Sequence, residues 1–427
     1  MRTVLLLVLL PFSTLIAQEP FPHRDSLLST ARNHLKTLTS EVFYGRGYQQ
    51  NGHKIAADFL EEKFRKYGLK PIGGSYQQPF SFKLNVVEKA SLTLNQKDFK
   101  AGTDFIVNAQ SGAGMIDLKV VDLDHALKIK EKARNHIVVF REGLPESIQN
   151  DPRKRELYAE KGRDDYKLTA LSKFSPAAVV ILRKKLTASL RPESLPFPIV
   201  ELEQSAYPTQ KVKLGIVEVD AEIKTIETQN VLGYLQGTGN TDSVILVTAH
   251  YDHLGGYSGA IFTGANDNAS GTSMLLSMAE HFAQNPPKYD MLFIAFGAEE
   301  AGLQGSAHYV MQNPLIPLEK MKFILNLDLM GNGDEGIMAV GGKDFPGQFD
   351  ILKDLNDSIQ AVPRVRARQN APNSDHYFFL KNGVPGFFIY TMGGPSHYHD
   401  VKDTNANLLF SKYVEVRQLL IAFLENL

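Results

Sequence analysis

The chain of 427 residues contains no cysteine and no tryptophan. Without thiols there can be no disulfide, thiolate zinc site, iron–sulfur ligation or cysteine nucleophile, so any metal must be held by nitrogen and oxygen. An excess of one charge is also missing. Lys plus Arg total 46 against 47 Asp plus Glu, a formal charge of -1, which leaves no bulk positive field to attract nucleic acid or anionic lipid. Apolar residues at 43% and charged residues at 22% are ordinary globular usage and argue against disorder over most of the chain. At roughly 150 residues per domain the length allows two or three domains.

Long apolar runs are scarce as well. The only candidate opens the chain as MRTVLLLVLLPFSTLIAQEP, where Arg2 precedes Val4 to Leu10, Pro11 interrupts, and Ala17 ends the run before polar residues. It falls short of the roughly 20 residues of a membrane span and reads as a cleaved signal peptide over 1–17, with a retained anchor as the alternative. The absence of a cysteine after the run excludes a lipoprotein. The expected mature protein is therefore soluble, exported to periplasm or medium, and not stably inserted in a membrane.

Beyond the leader, Leu27, Leu28, Ala31, Leu35 and Leu38 recur at helical spacing, as do Ile55, Ala56, Phe59, Leu60, Phe64 and Tyr67, with Gly68 at a C-cap position and Pro71 beyond. From about 81 to 227 the texture changes to short strand-like runs (137–140, 177–182 and 198–202). The charged segment 152–167 reads as a solvated helix or loop, and 217–224 alternates as a half-exposed strand. After Gln229, apolar strands over 231–235, 244–247, 291–296, 323–327 and 386–390 alternate with helical patterns around Met274 to Phe282 and over 411–424. That alternation predicts an α/β fold, a mixed and mostly parallel sheet covered by helices on both faces.

The chemistry-bearing residues sit where these strands end. His250 and Asp252 follow one strand, Asp267 lies in a Gly/Asn-rich loop before a helix, Glu299 and Glu300 follow another strand, Asp328 ends a third, and His399 lies in a late loop. Ligand crevices of open α/β sheets lie beyond the carboxyl ends of the strands, so five segments aim His, Asp and Glu at one rim. Histidine and carboxylate together, without thiols, suit zinc or a similar divalent ion. A dinuclear site with ions about 3.5 to 4 Å apart needs about five such ligands, one of them bridging, and a further carboxylate as proton acceptor. Taken singly, each residue has a plainer reading: a strand-end histidine, a helix-dipole glutamate pair, a turn aspartate. Their joint occurrence is what overturns those readings.

The segments AHYDHLG, GANDNASGT, GAEEAGLQGS, NLDLMG, NSDHYFF and YHDVKDT, in this order, resemble the motif set of metallopeptidase family 28, the co-catalytic zinc aminopeptidases. The likeness runs from about Gln229 to the end and includes the opening helices with GRGYQQNGHKIAADFLEEKFRKYGL. The resemblance implies an aminopeptidase-like catalytic domain formed by 18–85 and 228–427, with 86–227 inserted as a smaller, β-rich, protease-associated-like domain. It implies two zinc ions per chain: His250 and Asp328 on one, Glu300 and His399 on the other, Asp267 bridging. Glu299 would be the general base, Asp252 would fix the imidazole of His250, and Tyr398 would donate to the tetrahedral oxyanion. His253, Asp375 and His376 lie inside the motifs but receive no metal role. Arg364, Arg366 and Arg368 read as a solvated basic loop, with the substrate entrance as the other reading.

The implied function is a zinc-dependent exopeptidase, an aminopeptidase acting on peptide or protein substrates with a free N-terminus. Two alternatives stay open at this point: a single-zinc glutaminyl cyclase, or a receptor-like binding module that has lost the chemistry. The cyclases compared carry a tryptophan before the last histidine ligand where this chain has Tyr398, and a degenerate module would lack ligands or base. No HExxH, GxSxG or GxxxxGK[ST] signature is present. Side-chain preference, in vivo metal and oligomeric state are not legible.

Overall fold

The computed structural model describes residues 23–143 and 163–427. The signal-peptide expectation for 1–17 and most of the charged segment 152–167 fall outside the described residues. In chain order the strands are β1 (Gln77–Leu94), β2 (Lys97–Phe99), β3 (Phe105–Val107), β4 (Gly114–Asp122), β5 (His136–Arg141), β6 (Ala178–Arg183), β7 (Ile199–Glu203) and β8 (Leu214–Leu235). There follow β9 (Val244–His250), β10 (Gly255–Tyr257), β11 (Ala260–Phe262), β12 (Asp290–Phe296), β13 (Met321–Leu327), β14 (Gly336–Val340), β15 (Val365–Arg368) and β16 (Gly386–Met392).

All but the small β10–β11 hairpin join one 14-stranded sheet ordered β15-β14-β16-β13-β9-β12-β8-β4-β5-β6-β7-β3, with β1 beside β8 and β2 beside β1. Around the site the pairing is mostly parallel: β9 with β12 and β13, and β13 with β16. Antiparallel partners stand outside it, β8 against β12 and β14 against β16. The fold is thus α/β with a mixed, mostly parallel sheet, as the alternation of strands and helices predicts.

Burial of both faces, onto which successive side chains alternate, explains why β9 and β12 are mostly apolar. Ile245, Val247, Ala249, Met291, Phe293 and Ala295 face a core shared with the helices Arg24–Leu38, Gly52–Tyr67, Gly271–Gln284 and Tyr413–Glu425. Val244, Leu246, Leu292, Ile294 and Phe296 point the other way, against Tyr309, Val310, Phe379 and Leu380 of the helices Gln304–Met311 and His376–Lys381. Both faces are covered, which holds the strand ends rigidly at one rim.

The long ribbon of β1 and β8 links this region to the middle of the chain. Val231–Leu235 of β8 pairs with β12, while Leu214–Val219 pairs with β4. Sequence patterning divides β8 into two strands because its central residues are exposed on both faces; antiparallel pairing with β1 carries it through. Strands from the middle of the chain pack around their own apolar cluster, which also takes in Leu254, Tyr257, Ala260 and Phe262.

Candidate metal centre

β9 is buried along its whole length and delivers His250 to the rim with 1% exposure. Thr272 Oγ1 donates to the His250 carbonyl at 2.8 Å. Asp328 follows β13 and is oriented by a relay: Thr248 donates to Asn326, Asn326 to Ser374 Oγ, and Ser374 Oγ to Asp328 Oδ2 at 2.9 Å. Asp328 Oδ1 is buried and has no hydrogen-bond partner.

Asp267 sits in a loop held from three sides. Its N–H and that of Asn266 donate to the Asp403 carboxylate at 3.0 and 2.8 Å. Asn268 bridges Leu327 O, Gly271 N–H and Leu329 N–H. Gly264, at φ 53°, has no room for a Cβ, which would press into Asp267 O and the His253 ring. From the N-terminal motif, fully buried Arg46 donates to the carbonyls of Leu38, Tyr251, Thr263, Gly264 and Asp267.

The Glu299–Glu300 turn is fixed by Asp252, whose carboxylate accepts from the N–H groups of Glu299 and Glu300 at 3.1 and 3.3 Å and from Tyr48 Oη at 3.0 Å. His250 Nδ1 approaches the Asp252 backbone carbonyl at 3.2 Å and its carboxylate only at 3.8 Å. The carboxylate therefore bears mainly on the glutamate turn. Ala298, Leu329 and His399 all have φ between 54° and 58°, a concentration of left-handed non-glycine residues typical of functional sites.

His399 is held by the middle of the chain. Its Nδ1 donates to Ala188 O at 2.7 Å, and Ala188 N–H donates to His399 O at 3.0 Å. This fixes the tautomer and turns Nε2 toward the carboxylates. Tyr398 stacks on the His399 ring at 3.8 Å between centroids.

The resulting geometry has two halves that meet at Asp267. His250 Nε2 lies 3.3 Å from Asp267 Oδ1 and 3.4 Å from Asp328 Oδ1. His399 Nε2 lies 3.2 Å from Asp267 Oδ2 and 3.0 Å from Glu300 Oε2. Ligands at 2.0 to 2.1 Å on a tetrahedral ion are separated by about 3.3 Å. The five residues therefore fit two nitrogen/oxygen sites sharing one carboxylate, and the orphaned Asp328 Oδ1 fits a ligand atom. Glu299 adds a carboxylate oxygen within 4.8 Å of the His250 and Glu300 ligand atoms.

With protein groups alone the cluster polarises itself. Burial opposes charge on His399, yet Glu300 and Asp267 raise it to about 11. Burial likewise opposes charge on Glu300, but His399 and His253 bring it down to about 2. Glu299 is pushed well up by burial, with Glu300, Asp375 and Asp328 adding to the shift against His250.

Arg46, Asp403, Asn268 and Ala188 are given no role in the sequence reading, although Arg46, Asp403 and Asn268 lie within its motifs. His253, given no metal role there, places Nδ1 2.6 Å from Glu300 Oε1 as a donor to that ligand candidate.

Residues 230–424 match the model of peptidase family M28. An aminopeptidase of Pseudomonas aeruginosa is 27% identical over 370 residues, 80% of this chain and 65% of its own length. Aminopeptidase YwaD of Bacillus subtilis is 34% identical over 162 residues, 37% of this chain and 34% of its own. A zinc aminopeptidase structure from Bacillus subtilis superposes with a TM-score of 0.68 at 21% identity, covering 93% of this chain and 94% of that one; it is a likeness of fold. The fold is like that of the zinc aminopeptidase structure, and the motif-bearing region is similar to a metallopeptidase family. The region 230–424 is similar to peptidase family M28, and the chain spans 65%, just under two thirds, of the length of the Pseudomonas relative.

Proposed function

We propose that this chain is a zinc-dependent aminopeptidase with two ions per chain, and that it is exported. The observation that carries the reading is the division of five buried ligand candidates into two sets sharing Asp267, at separations of 3.0 to 3.4 Å. His250 and Asp328 would hold one ion, Glu300 and His399 the other, with Asp267 between them. Bound zinc supplies Lewis-acid polarisation of the scissile carbonyl and lowers the pKa of a water to near neutrality.

The chain's own residues do the rest. Glu299, its backbone pinned by Asp252, accepts the proton of the attacking water on its carboxylate and returns it to the leaving amine. The Tyr398 hydroxyl donates to the oxyanion of the tetrahedral carbon. Ala188 and the Ser374 relay keep His399 and Asp328 in ligand orientation. Residues 86–227 act as a protease-associated-like insertion whose Ala188 contributes to that support.

The test is hydrolysis of matched peptides with free and blocked N-termini by the zinc-loaded full chain. Cleavage restricted to free N-termini is expected. Cyclisation of N-terminal glutamine without peptide hydrolysis would overturn the reading, as would absence of turnover with any peptide.

A further inference from the structure

A cleft of about 240 Å³ takes in His250, Asp267, Asp328 and Glu299 of the metal centre and is lined further by Leu329, Arg368, Asn373, Phe388, Tyr390 and Tyr398. It is smaller than the roughly 300–1,000 Å³ of pockets for drug-sized ligands, a size suited to one residue of a peptide. Aromatic rings make much of its wall, but its one permanent positive charge is Arg368. An arginine beside a cluster of acidic ligand candidates would ordinarily be expected to pair with one of them. Among the described residues it makes no ion pair.

The position of Arg368 is fixed although its side chain is free. It ends β15, the edge strand paired with β14 through Val340↔Arg368, and its carbonyl accepts from Gly341 N–H at 3.0 Å and Lys343 N–H. Its neighbour Arg364 is already engaged, donating to Glu335 O at 3.2 Å and lying 3.8 Å from Glu335 Oε2. Half-buried Val365 and Ala367 alternate with exposed Arg366 and Arg368, so the strand presents its two spare guanidiniums on one face. Guanidinium is a planar, permanently charged fork matched to carboxylate, and a partly enclosed cleft strengthens such a pair relative to open solvent.

We propose that Arg368 is a specificity-determining residue that receives a substrate carboxylate within this cleft, so that the enzyme favours acidic substrates. The proposal rests on the aminopeptidase reading above and deepens it. The carboxylate has two sources: the side chain of an N-terminal aspartate or glutamate, or the free C-terminus of a dipeptide. Both present the same planar anion within one residue of the scissile bond.

The experiment measures kcat/KM of the zinc-loaded full chain, wild type and Arg368→Leu and Arg368→Lys, as two ratios. Glutamyl-anilide over leucyl-anilide reads the side-chain source, and leucyl-leucine over leucyl-leucinamide reads the C-terminal source. Losing a charge-assisted pair predicts that one ratio falls by about 10- to 100-fold in Arg368→Leu, with Arg368→Lys intermediate. Zinc content and melting temperature are checked for each variant, so that a collapsed site is not mistaken for lost selectivity. If both ratios are unchanged in a folded, zinc-replete Arg368→Leu, this proposal falls and the aminopeptidase reading stands. If wild type cleaves none of the four substrates, both fall.

Discussion

Arg46 is the residue whose removal tests the support of the centre most sharply. Its guanidinium is fully buried and donates to five carbonyls, four of them at 2.7 to 3.0 Å: Tyr251, Leu38, Thr263 and Gly264. The fifth, Asp267 O, is at 3.4 Å. Burial lowers its pKa to about 10, with Asp403, Asp267 and Asp252 opposing the shift, so it stays charged at neutral pH. Arg46→Met keeps some volume but strands these acceptors. At a conservative ~1 kcal/mol for each of the four short bonds the loss is ~4 kcal/mol, a large share of a typical 5–15 kcal/mol. Arg46→Lys can satisfy two or three of them and should lose about half as much. Denaturant unfolding at fixed zinc concentration measures both. Two of the stranded carbonyls belong to Gly264 and Asp267, so zinc affinity should fall together with stability. An Arg46→Met protein within ~1 kcal/mol of wild type and with unaltered zinc affinity would refute the reasoning.

Two further outcomes follow from the geometry. Ala188→Pro removes the N–H that donates to His399 O and should lower zinc affinity by about 10- to 100-fold, the usual effect of disturbing a ligand's supporting contact; unchanged affinity in isothermal titration would rule out that support. In chelated protein, His399 is raised from 6.5 to about 11, so its stabilising contribution is full below about 6.5 and is lost as pH rises toward 11. Burial raises Asp252 from 3.8 to about 6 and Asp375 from 3.8 to about 7, so each costs stability as pH climbs from about 4 through those values. These three act in one direction; buried His34 and His376, lowered to about 4 and about 3, act the other way only between pH 5 and about 6.5 and by a smaller amount, so the chelated protein should melt lower at pH 9 than at pH 5. Zinc competes with protons for His399, so its affinity should rise over the same interval. A chelated protein more stable at pH 9 than at pH 5 would contradict the sign.

Strands β9, β12, β13 and β16 are legible in sequence because both their faces are buried and they read as continuous apolar runs. β14 and β15 are not, for different reasons: GIMAV is short and opens on glycine, and VRAR carries two exposed arginines on an edge. The candidate ligands stand out because charged residues at the ends of apolar strands break the local pattern. Their supports do not. Arg46 works through backbone carbonyls, which no side-chain motif encodes, and Ala188 offers its own backbone to His399 across 211 residues of sequence. His34 and His53 lie on the opening amphipathic helices, and both are buried, His53 against Gly47 O and Glu227 O.

The central claim is two ions held by five residues with Glu299 left to move the proton. It is tested most directly by zinc content per chain, measured by elemental analysis alongside turnover of a free-N-terminus peptide, in wild type and Glu299→Gln. The account predicts two zinc ions in both proteins, with turnover reduced by about 100-fold or more in the variant. One zinc per chain in wild type, or undiminished turnover in Glu299→Gln, would contradict it.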